Sequence, residues 1–559
     1  MSVIRVDRTS YAAAGFGGTL THDLAHGVPS AQSFFPARRW QDVAAQIAAR
    51  SYPRDEVCRV LGESAQRSGA PEAALASLRL LRDPNTYVVA TGQQAGFLGG
   101  PLYTLHKALT AIKLARSLTA ESGGRAHVVP VFWVAGDDHD LAEIDHAEFL
   151  VDDGTVRRVQ AVFEPGSLGC SACDARLDSS PEKLQTLRAE LRETLGADAV
   201  VERCLGLYAA HDLSEAFARL LYEWLGDLGL IVVQSSDVRA LAGPVLLREL
   251  DDYDLTSRLI QEAALTLQKH GYKPGFSTQA RVAPHFFIAS EPGRIRAHLD
   301  PAGNGMFQER SAAFAARQQV PRAFSKQELA ELIAARPQRF SAGAALRPVA
   351  QQYVFPVVAA VLGPGEIDYW AQLRTVHEHF GVPWPVIVPR ATLTLLDAQA
   401  EKALRKLGLT AASPELFLDY EALRKKVLAH GELGGRLEER RARILAEIDA
   451  MAADVRAVDG GLQPLFDKAR ERIVHELERI ADKTSASLGQ RDGAGARRLR
   501  YLSSLVRPGN APQERVLTTA FLLAKYATLP QDLLEVIDPS AREHMIVQLA
   551  VPLSPVGRG

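Results

Sequence analysis

Two apolar runs, separated by a helical pattern, dominate the first third of the chain. Residues 87–90 combine aromatic and β-branched side chains without a polar break, and residues 128–135 form a second, almost entirely apolar run. Between them, leucine and isoleucine recur at helical spacing from Leu102 to Leu118. Apolar runs without polar alternation are typical of parallel strands that are covered on both faces. The pattern therefore predicts a strand, a helix and a second, parallel strand.

The turn that follows the first predicted strand is rich in glycine. Gly92, Gly96, Gly99 and Gly100 permit a tight turn in which the backbone approaches a ligand closely. Pro101 suits the first turn of the helix that follows. The spacing of these glycines matches neither a P-loop nor the dinucleotide-binding fingerprint.

Strands and helices continue to alternate further along the chain. Residues 228–237 have the pattern of a third buried strand, and residues 241–270 have that of a long helix. Residues 354–362 and 385–390 are two more strand-like runs. This alternation predicts an α/β fold with a Rossmann-like, doubly wound parallel sheet.

Two stretches of mixed character interrupt the alternation. The first, at about 151–210, contains a strand-like run at 155–163. The second, at about 271–340, contains a hairpin pattern in residues 286–289 and 294–298. We interpret both stretches as small insertions between elements of the sheet.

After about residue 393 the chain becomes charged and helical. Apolar residues recur seven positions apart in two stretches, which are joined by Gly460 and Gly461. The positions are Leu437, Ile444, Met451 and Val458 in the first stretch and Phe466, Ile473 and Ile480 in the second, with Ile448, Val455 and Leu477 interleaved. Two heptad helices joined by a short glycine turn predict an antiparallel coiled-coil hairpin.

The chain has 559 residues, too many for one compact core. We divide it into a Rossmann-like core with its insertions (1–392), an α-helical coiled coil (393–510) and a segment that returns to the core (511–559). Residues 1–85 form a lead-in that packs against the sheet, and the final segment has a helical pattern.

Composition narrows the classes of function. The formal net charge is -2 and the pI is near 6.8, which argues against a nucleic-acid partner. We find no apolar run of about 18 residues and no signal-peptide pattern, so we expect a cytoplasmic protein without a membrane partner. Four cysteines are too few for a disulfide framework, and we interpret Cys170 and Cys173 as incidental thiols.

Ionisable and amide side chains follow the first two predicted strands. Gln93 and Gln94 can bind a carboxylate, a hydroxyl or a phosphate, although the same amides could simply cap the next helix. Asp137, Asp138 and His139 follow the second strand, where carboxylate and imidazole can bind Mg²⁺ or move protons. A solvated strand end is the alternative. Because parallel strands end at the same edge of a sheet, we expect one shared crevice.

Further candidates for anion binding lie near the other apolar runs. Lys107 is two turns into the first helix, close enough to reach a phosphate at the glycine-rich turn. Arg347, Glu366 and Arg390 flank the later apolar runs, and arginine suits carboxylate or phosphate recognition. An exposed lysine and structural ion pairs are the alternatives.

Several of these motifs resemble one known family in the same order along the chain. The stretches are residues 91–104, 130–140, 346–351, 363–373, 385–390 and 512–516. Together they are similar to the bacillithiol-biosynthesis cysteine-adding enzymes, the BshC family. The resemblance extends over almost the whole chain, and its first two motifs are specific.

The resemblance implies a Rossmann core related to class I aminoacyl-tRNA synthetases and nucleotidylyltransferases, and a homodimer formed through the coiled coil. It also implies a ligase that joins cysteine to the amine of glucosaminyl-malate, with ATP and Mg²⁺ as the suspected activating nucleotide and metal and no tightly bound cofactor. The catalytic candidates are then Asp138, His139, Gln93 and Gln94. The candidates for substrate or nucleotide binding are Gly92, Gly96, Lys107, Asp137, Arg347, Gln351, Glu366 and Arg390.

Two other functions are compatible with the residues. One is a metal-dependent hydrolase that uses Asp137, His139, Asp140 and His146. The other is a non-catalytic coiled-coil adaptor with a nucleotide-binding fold.

Overall fold

The computed structural model describes residues 3–16, 19–196, 198–279, 282–430, 432–491 and 493–550. The strands are β1 (Val3–Ser10), β2 (Thr86–Gln93), β3 (His127–Val134), β4 (His146–Leu150), β5 (Val156–Gln160), β6 (Ile231–Gln234), β7 (Phe286–Ser290), β8 (Ile295–Pro301), β9 (Met306–Arg310), β10 (Ala323–Ser325), β11 (Phe340–Ala342), β12 (Val357–Leu362), β13 (Val386–Pro389), β14 (Leu393–Leu396) and β15 (Glu543–Leu549).

Helices connect and cover these strands. They are α1 (Leu20–Ala25), α2 (Pro29–Phe34), α3 (Trp40–Ala48), α4 (Arg54–Arg67), α5 (Glu72–Leu80), α6 (Tyr103–Glu121), α7 (Pro181–Leu195), α8 (Asp198–Ala210), α9 (Leu213–Leu225), α10 (Ser235–Val238), α11 (Gly243–Lys269), α12 (Ala313–Ala316), α13 (Lys326–Ala335), α14 (Arg347–Val354), α15 (Pro364–Trp370), α16 (Arg374–Phe380), α17 (Ala398–Leu407), α18 (Tyr420–His430), α19 (Glu432–Arg456), α20 (Gln463–Arg491), α21 (Gly493–Val506), α22 (Gln513–Val516), α23 (Thr519–Leu523) and α24 (Leu529–Val536).

The centre of the fold is a five-stranded parallel sheet in the order β13-β12-β2-β3-β6. The chain starts this sheet at β2, proceeds outward through β3 to β6, and then returns to the other side of β2 with β12 and β13. This order confirms the predicted doubly wound Rossmann-like sheet. The predicted strands 87–90, 128–135 and 228–237 and the helix at 241–270 all form.

The sheet is covered on both faces, which explains its apolar runs. Val88 and Val131 pack into the large core on one face. Val89 and Val128 pack against α3 and α6 on the other face, where Trp40 is buried. Successive residues of a strand point to opposite faces, so both faces of β2 and β3 demand apolar side chains.

Two groups of elements are inserted between strands of the central sheet. The first contains the β4–β5 hairpin, α7 and α8, and it enters between β3 and β6. The second is larger than the predicted hairpin, because five antiparallel strands pair in the order β10-β9-β8-β7-β11. Strands β7 and β8 are the hairpin that the sequence indicated.

A third sheet joins the beginning of the chain to its last strand. Strand β15 lies between β1 and β14, antiparallel to β1 and parallel to β14. The segment after residue 510 therefore contains a strand in addition to helices of the kind that its pattern predicted. The lead-in before β2 likewise contains a strand that the sequence did not predict.

Helices α19 and α20 form the predicted antiparallel hairpin within one chain. Arg470 Nε lies 3.0 Å from the Asp449 carboxylate across the pair, and Arg441 lies 3.6 Å from Glu478. Ala452 is buried at the contact between the helices. Two heptad residues of α19 face away from it, however: Ile444 and Met451 are 42% and 58% exposed, and Val458 in the turn after α19 is 90% exposed.

None of the helices in the described ranges is long and apolar enough to cross a membrane.

Candidate active site

The candidate site lies where the strand order of the central sheet reverses, between β2 and β12. Open α/β sheets bind ligands beyond the carboxyl ends of their strands at this switch point. Gly92 and Gln93 end β2, and Gly363 follows β12. A Cβ atom on Gly92 would lie 2.6 Å from the Trp133 backbone oxygen, so this position requires glycine.

Lys107 joins the two sides of the switch point. Its ammonium group donates to the Gly92 carbonyl at 2.8 Å and to Gln93 Oε1 at 2.9 Å, and it lies 2.5 Å from Glu366 Oε2. Glu366 also accepts a hydrogen bond from the Gly363 backbone at 2.8 Å. Burial lowers the pKa of Lys107, and the charge of Glu366 opposes that shift. The lysine fixes the glycine-rich turn to the loop after β12.

Gln94 bridges two carboxylates at the mouth of the site. Its Nε2 donates to Asp138 Oδ2 at 2.8 Å and to Glu143 Oε2 at 2.9 Å. Asp138 Oδ1 accepts from the backbone N–H of His139 at 2.8 Å and from that of Asp140 at 3.3 Å. Burial alone would raise the pKa of Asp138, but the Gln94 hydrogen bond, the charge of Arg296 and these backbone donors lower it. Asp138 is therefore an anion at neutral pH.

Asp137 points away from Asp138 into a buried ion pair. It accepts a hydrogen bond from Arg239 Nε at 2.7 Å and another from the same guanidinium. Arg239 also donates to the Cys173 sulfur at 3.2 Å. Burial raises the pKa of Cys173 to about 12, so its sulfur is a neutral thiol at neutral pH.

His139 contacts the second insertion. Its Nδ1 lies 3.0 Å from Arg296 Nη1 on β8. The Arg296 guanidinium lies 3.5 Å from the centre of the Phe287 ring on β7, and the His139 ring is 5.9 Å from that ring. Burial, followed by the charge of Arg296, lowers the pKa of His139. The imidazole is neutral at neutral pH.

Arg347 and Gln351 lie on α14, next to the loop after β12. Arg347 Nη2 donates to the Tyr369 hydroxyl at 2.7 Å. Gln351 is one turn further along the same helix and is half-buried. Their predicted roles in substrate binding stay predictions.

Arg390 lies in a buried cluster rather than at the crevice mouth. Its guanidinium forms a two-pronged pair with Glu514, at 2.8 Å for one prong. His106 Nδ1 lies 3.0 Å from the same carboxylate. Arg390 and Glu514 are 4% and 1% exposed. The arginine thus binds a carboxylate of the protein itself and ties the core to the segment after residue 510.

The same segment closes over the glycine-rich turn. The Leu102 backbone N–H donates to the Leu517 carbonyl at 2.9 Å. The Thr518 hydroxyl donates to the Leu98 carbonyl at 3.1 Å and to that of Gly100 at 3.2 Å. On this side, the backbone of the glycine-rich turn is therefore in contact with the protein's own final segment.

An open cavity of about 190 Å³ remains beside this contact. Gln93, Gln94, Gly96 and His146 line it from the core, and Arg515 lines it from the final segment. The two glutamines therefore face a space that a small polar molecule can enter.

The four residues of the predicted metal site do not converge. Asp137 pairs with Arg239, His139 contacts Arg296, and His146 Nδ1 lies 2.9 Å from Asp145. Within the described residues, no group of three or more His, Cys, Asp or Glu side chains could hold a metal ion. The hydrolase alternative is not favoured.

Three residues of the site were missed in the sequence: Arg239, Arg296 and Phe287. Arg239 meets Asp137 across 102 positions, and Arg296 meets His139 across 157 positions. No local spacing signals such contacts. The only local sign was the predicted hairpin of β7 and β8, which carries both Phe287 and Arg296.

Fold and site together define a Rossmann-like α/β protein with a polar crevice at the switch point of its sheet and a coiled-coil hairpin. Comparison with known families narrows this class. Residues 4–391 match the family model described as "Bacillithiol biosynthesis BshC, N-terminal Rossmann-like domain". Residues 393–549 match the model described as "Bacillithiol biosynthesis BshC, C-terminal coiled-coil domain". The chain belongs to the BshC family of bacillithiol biosynthesis, as its motifs indicated.

Proteins that are similar to this chain over most of their length carry the same family name. A protein of Geobacillus thermodenitrificans is 31% identical over 95% of this chain and 98% of its own. One of Salinibacter ruber is 30% identical over 97% of this chain and 98% of its own, and one of Bacillus cytotoxicus is 29% identical over 85% and 87%. Each is named "Putative cysteine ligase BshC". These names agree with the predicted ligase and do not favour the adaptor.

Proposed function

We propose that this protein is a ligase that joins the carboxyl group of L-cysteine to the glucosamine amine of glucosaminyl-malate, the last step of bacillithiol biosynthesis. The family match over nearly the whole chain carries this proposal. The crevice supports it, because its amides, carboxylates and arginine suit a polar substrate that bears hydroxyl and carboxylate groups.

Forming an amide from a free carboxylate requires activation, and we propose ATP with Mg²⁺ for this role. ATP would activate the cysteine carboxyl group as an acyl phosphate, releasing ADP, or as an acyl adenylate, releasing pyrophosphate, and the amine would then displace phosphate or AMP. Mg²⁺ at such sites uses one or two carboxylates together with phosphate oxygens and water. Glu143 and Glu366 are carboxylates at the crevice that could serve.

The protein's own residues would bind and orient the substrates. Arg347 would hold a carboxylate of malate or a phosphate. Gln93 and Gln94 present amides to the cavity at the end of β2. Asp138 or His139 would accept the proton that the attacking ammonium group must lose.

The reaction can be tested directly by mass spectrometry. Purified protein with glucosaminyl-malate, cysteine, ATP and Mg²⁺ should yield the mass of bacillithiol together with AMP or ADP, which also identifies the route of activation. His139→Ala should abolish turnover while the thermal unfolding midpoint stays near that of the wild type. A folded wild-type protein that neither binds glucosaminyl-malate nor forms product would contradict the proposal.

We also propose that the protein works as a homodimer through its coiled coil. Ile444 and Met451 on α19 and Val458 in the turn after it lie seven residues apart and are exposed, so they form an apolar stripe along the hairpin. Ile480 on α20 is 52% exposed as well. A heptad stripe left outside the hairpin contact is the surface that a second coiled coil would cover.

The cytoplasm is the proposed location. The four cysteines, which lie in the described ranges, are free thiols. Free buried cysteines and a thiol substrate both suit a reducing compartment.

A further inference from the structure

The contact between His139 and Arg296 fixes the proton arrangement of the imidazole. A guanidinium group has five N–H donors and no acceptor. The 3.0 Å contact from Arg296 Nη1 to His139 Nδ1 is therefore a hydrogen bond only if Nδ1 carries a lone pair. A neutral imidazole with a free Nδ1 lone pair has its proton on Nε2.

Arg296 is held firmly enough to impose this arrangement. Its side chain is 8% exposed. The guanidinium lies 3.5 Å from the centre of the Phe287 ring, and its Nε donates to the Ser341 hydroxyl at 3.2 Å. Asp138 lies 3.9 Å away and balances its charge. Packing, hydrogen bonding and charge thus hold the guanidinium from different sides.

The other ionisable groups around the ring leave it neutral. Asp138 Oδ1 lies 3.7 Å from Nδ1, and Asp140 is the second acid nearby. Both acids favour the imidazolium, but the cationic Arg296 and partial burial oppose it and prevail. The His298 ring packs at a tilt against the same Phe287 ring, with the ring centres 4.2 Å apart. Burial lowers the pKa of His298 to about 4, so it adds no charge at neutral pH.

We propose that His139 serves as a neutral hydrogen-bond donor through its Nε2–H, and that Arg296 is the positioning residue that maintains this tautomer. This proposal rests on the proposed ligase function. The Nε2–H would donate to the oxygen of the activated cysteine carboxyl group.

The proposed role of His139 is to stabilise the negative charge that develops on the carbonyl oxygen during amide formation. As the amine attacks, the C–N bond forms and the carbonyl electron pair moves onto the oxygen. A donor such as Nε2–H stabilises that oxygen until phosphate or AMP leaves and the carbonyl reforms. His139 cannot take the proton of the ammonium group at the same time, because Nε2 is already protonated and Nδ1 is occupied. The proton goes to Asp138 instead.

The tautomer can be measured without turnover. In protein labelled with ¹⁵N-histidine, long-range ¹H–¹⁵N spectra distinguish a protonated ring nitrogen from an unprotonated one, and His139→Gln identifies the signals of this ring. We expect Nε2 protonated and Nδ1 unprotonated at pH 7.5. A proton on Nδ1, or an imidazolium, at that pH overturns the proposal.

Replacing Arg296 by methionine tests the positioning role. Arg296→Met removes the donor and the charge, so ring protonation should shift to higher pH by about one unit or more, about tenfold in proton affinity. Arg339→Met is the matched control, because Arg339 is 9% exposed and donates to the Ala289 carbonyl on the same strand as Phe287. It should leave the His139 signals unchanged. Equal shifts in both variants overturn the role of Arg296.

The activities of variants at His139 distinguish a hydrogen-bond donor from a general base. The amide nitrogen of glutamine can take the place of Nε2, whereas that of asparagine takes the place of Nδ1. We expect His139→Gln to exceed His139→Asn and His139→Ala in kcat by about tenfold or more, with the loss in His139→Ala about 100-fold or greater. Equal activity of the glutamine and alanine variants, both folded, overturns the donor role. If the wild type makes no product, the ligase proposal fails, and the spectra still decide the tautomer.

Discussion

Replacing Glu514 by glutamine should destabilise the contact between the Rossmann-like core and the segment after residue 510. The Glu514 carboxylate receives both prongs of the Arg390 guanidinium, and His106 lies 3.0 Å away. Glutamine preserves the shape but removes the charge. The variant therefore leaves the Arg390 cation buried without an anionic partner.

The expected loss is about 3–5 kcal/mol of unfolding free energy, the usual result of removing one member of a buried ion pair. The pair Arg188–Glu202 offers a control with the same two-pronged geometry, at 2.6 and 3.0 Å, but with the carboxylate side chain 48% exposed. Glu202→Gln should cost far less unfolding free energy, because water and salt screen an exposed ion pair. The two variants compare ion pairs of similar geometry, so the difference between their effects measures the contribution of burial.

Urea denaturation at pH 7 measures both variants, and proteolysis of the final segment locates the weakened region. Arg390 and His106 hold the pKa of Glu514 well below its usual value, against the effect of burial. A carboxylate with a lowered pKa contributes stability that is complete above the unfolded value of 4.5 and is lost as the pH falls toward the folded pKa. The difference in unfolding free energy between wild type and Glu514→Gln should therefore become smaller below about pH 4. A gap no larger than that of Glu202→Gln at pH 7 would refute the reasoning.

Three further outcomes follow from the structure. Lys107→Met leaves Glu366 without its cation, so urea denaturation should show that the unfolding free energy falls by about 3 kcal/mol. A decrease of less than about 1 kcal/mol would contradict the linking role of the lysine. Met451→Glu combined with Val458→Glu should convert a dimer to a monomer in light scattering while helical circular dichroism is preserved; a dimer that persists excludes this stripe as the interface. Burial raises the pKa of Asp368 to about 6, so the stability it contributes is present below its unfolded value and is lost as the pH rises through 6. Asp368→Asn should then be more stable than wild type at pH 8, by about 1–2 kcal/mol after allowance for partial exposure, and no less stable at pH 4; equal stability at pH 8 would contradict this.

The sequence predicted the central sheet because its strands are apolar runs that alternate with helical patterns. Strands β2, β3, β6 and β12 are buried on both faces, so each contains an apolar run. Strand β1 lacks such a run, with mostly exposed or half-exposed residues along its length. Its partner β15 lies more than 500 positions away, and local patterning carries no sign of so distant a pairing.

The site was predicted to the extent that it lies at strand ends. The positions of Gln93, Gln94 and Asp138 follow from the strands that precede them. The partner that influences the charge states of Asp138 and His139 does not, because Arg296 belongs to an insertion whose docking depends on the whole fold. The coiled coil shows the same limit, since the heptads predicted two helices but not which residues of each would remain exposed.

The three-stranded sheet of β1, β15 and β14 can form only at the end of synthesis. Strand β15 lies in the middle, so neither β1 nor β14 has its neighbour until residues 543–549 have left the ribosome. At about 5–20 residues per second, β1 waits roughly 30–110 s after its own translation. During that time the edge of β1 is open to pairing with another nascent chain. The neighbourhood of the ribosome, rather than the finished protein, is where this fold is most exposed to aggregation.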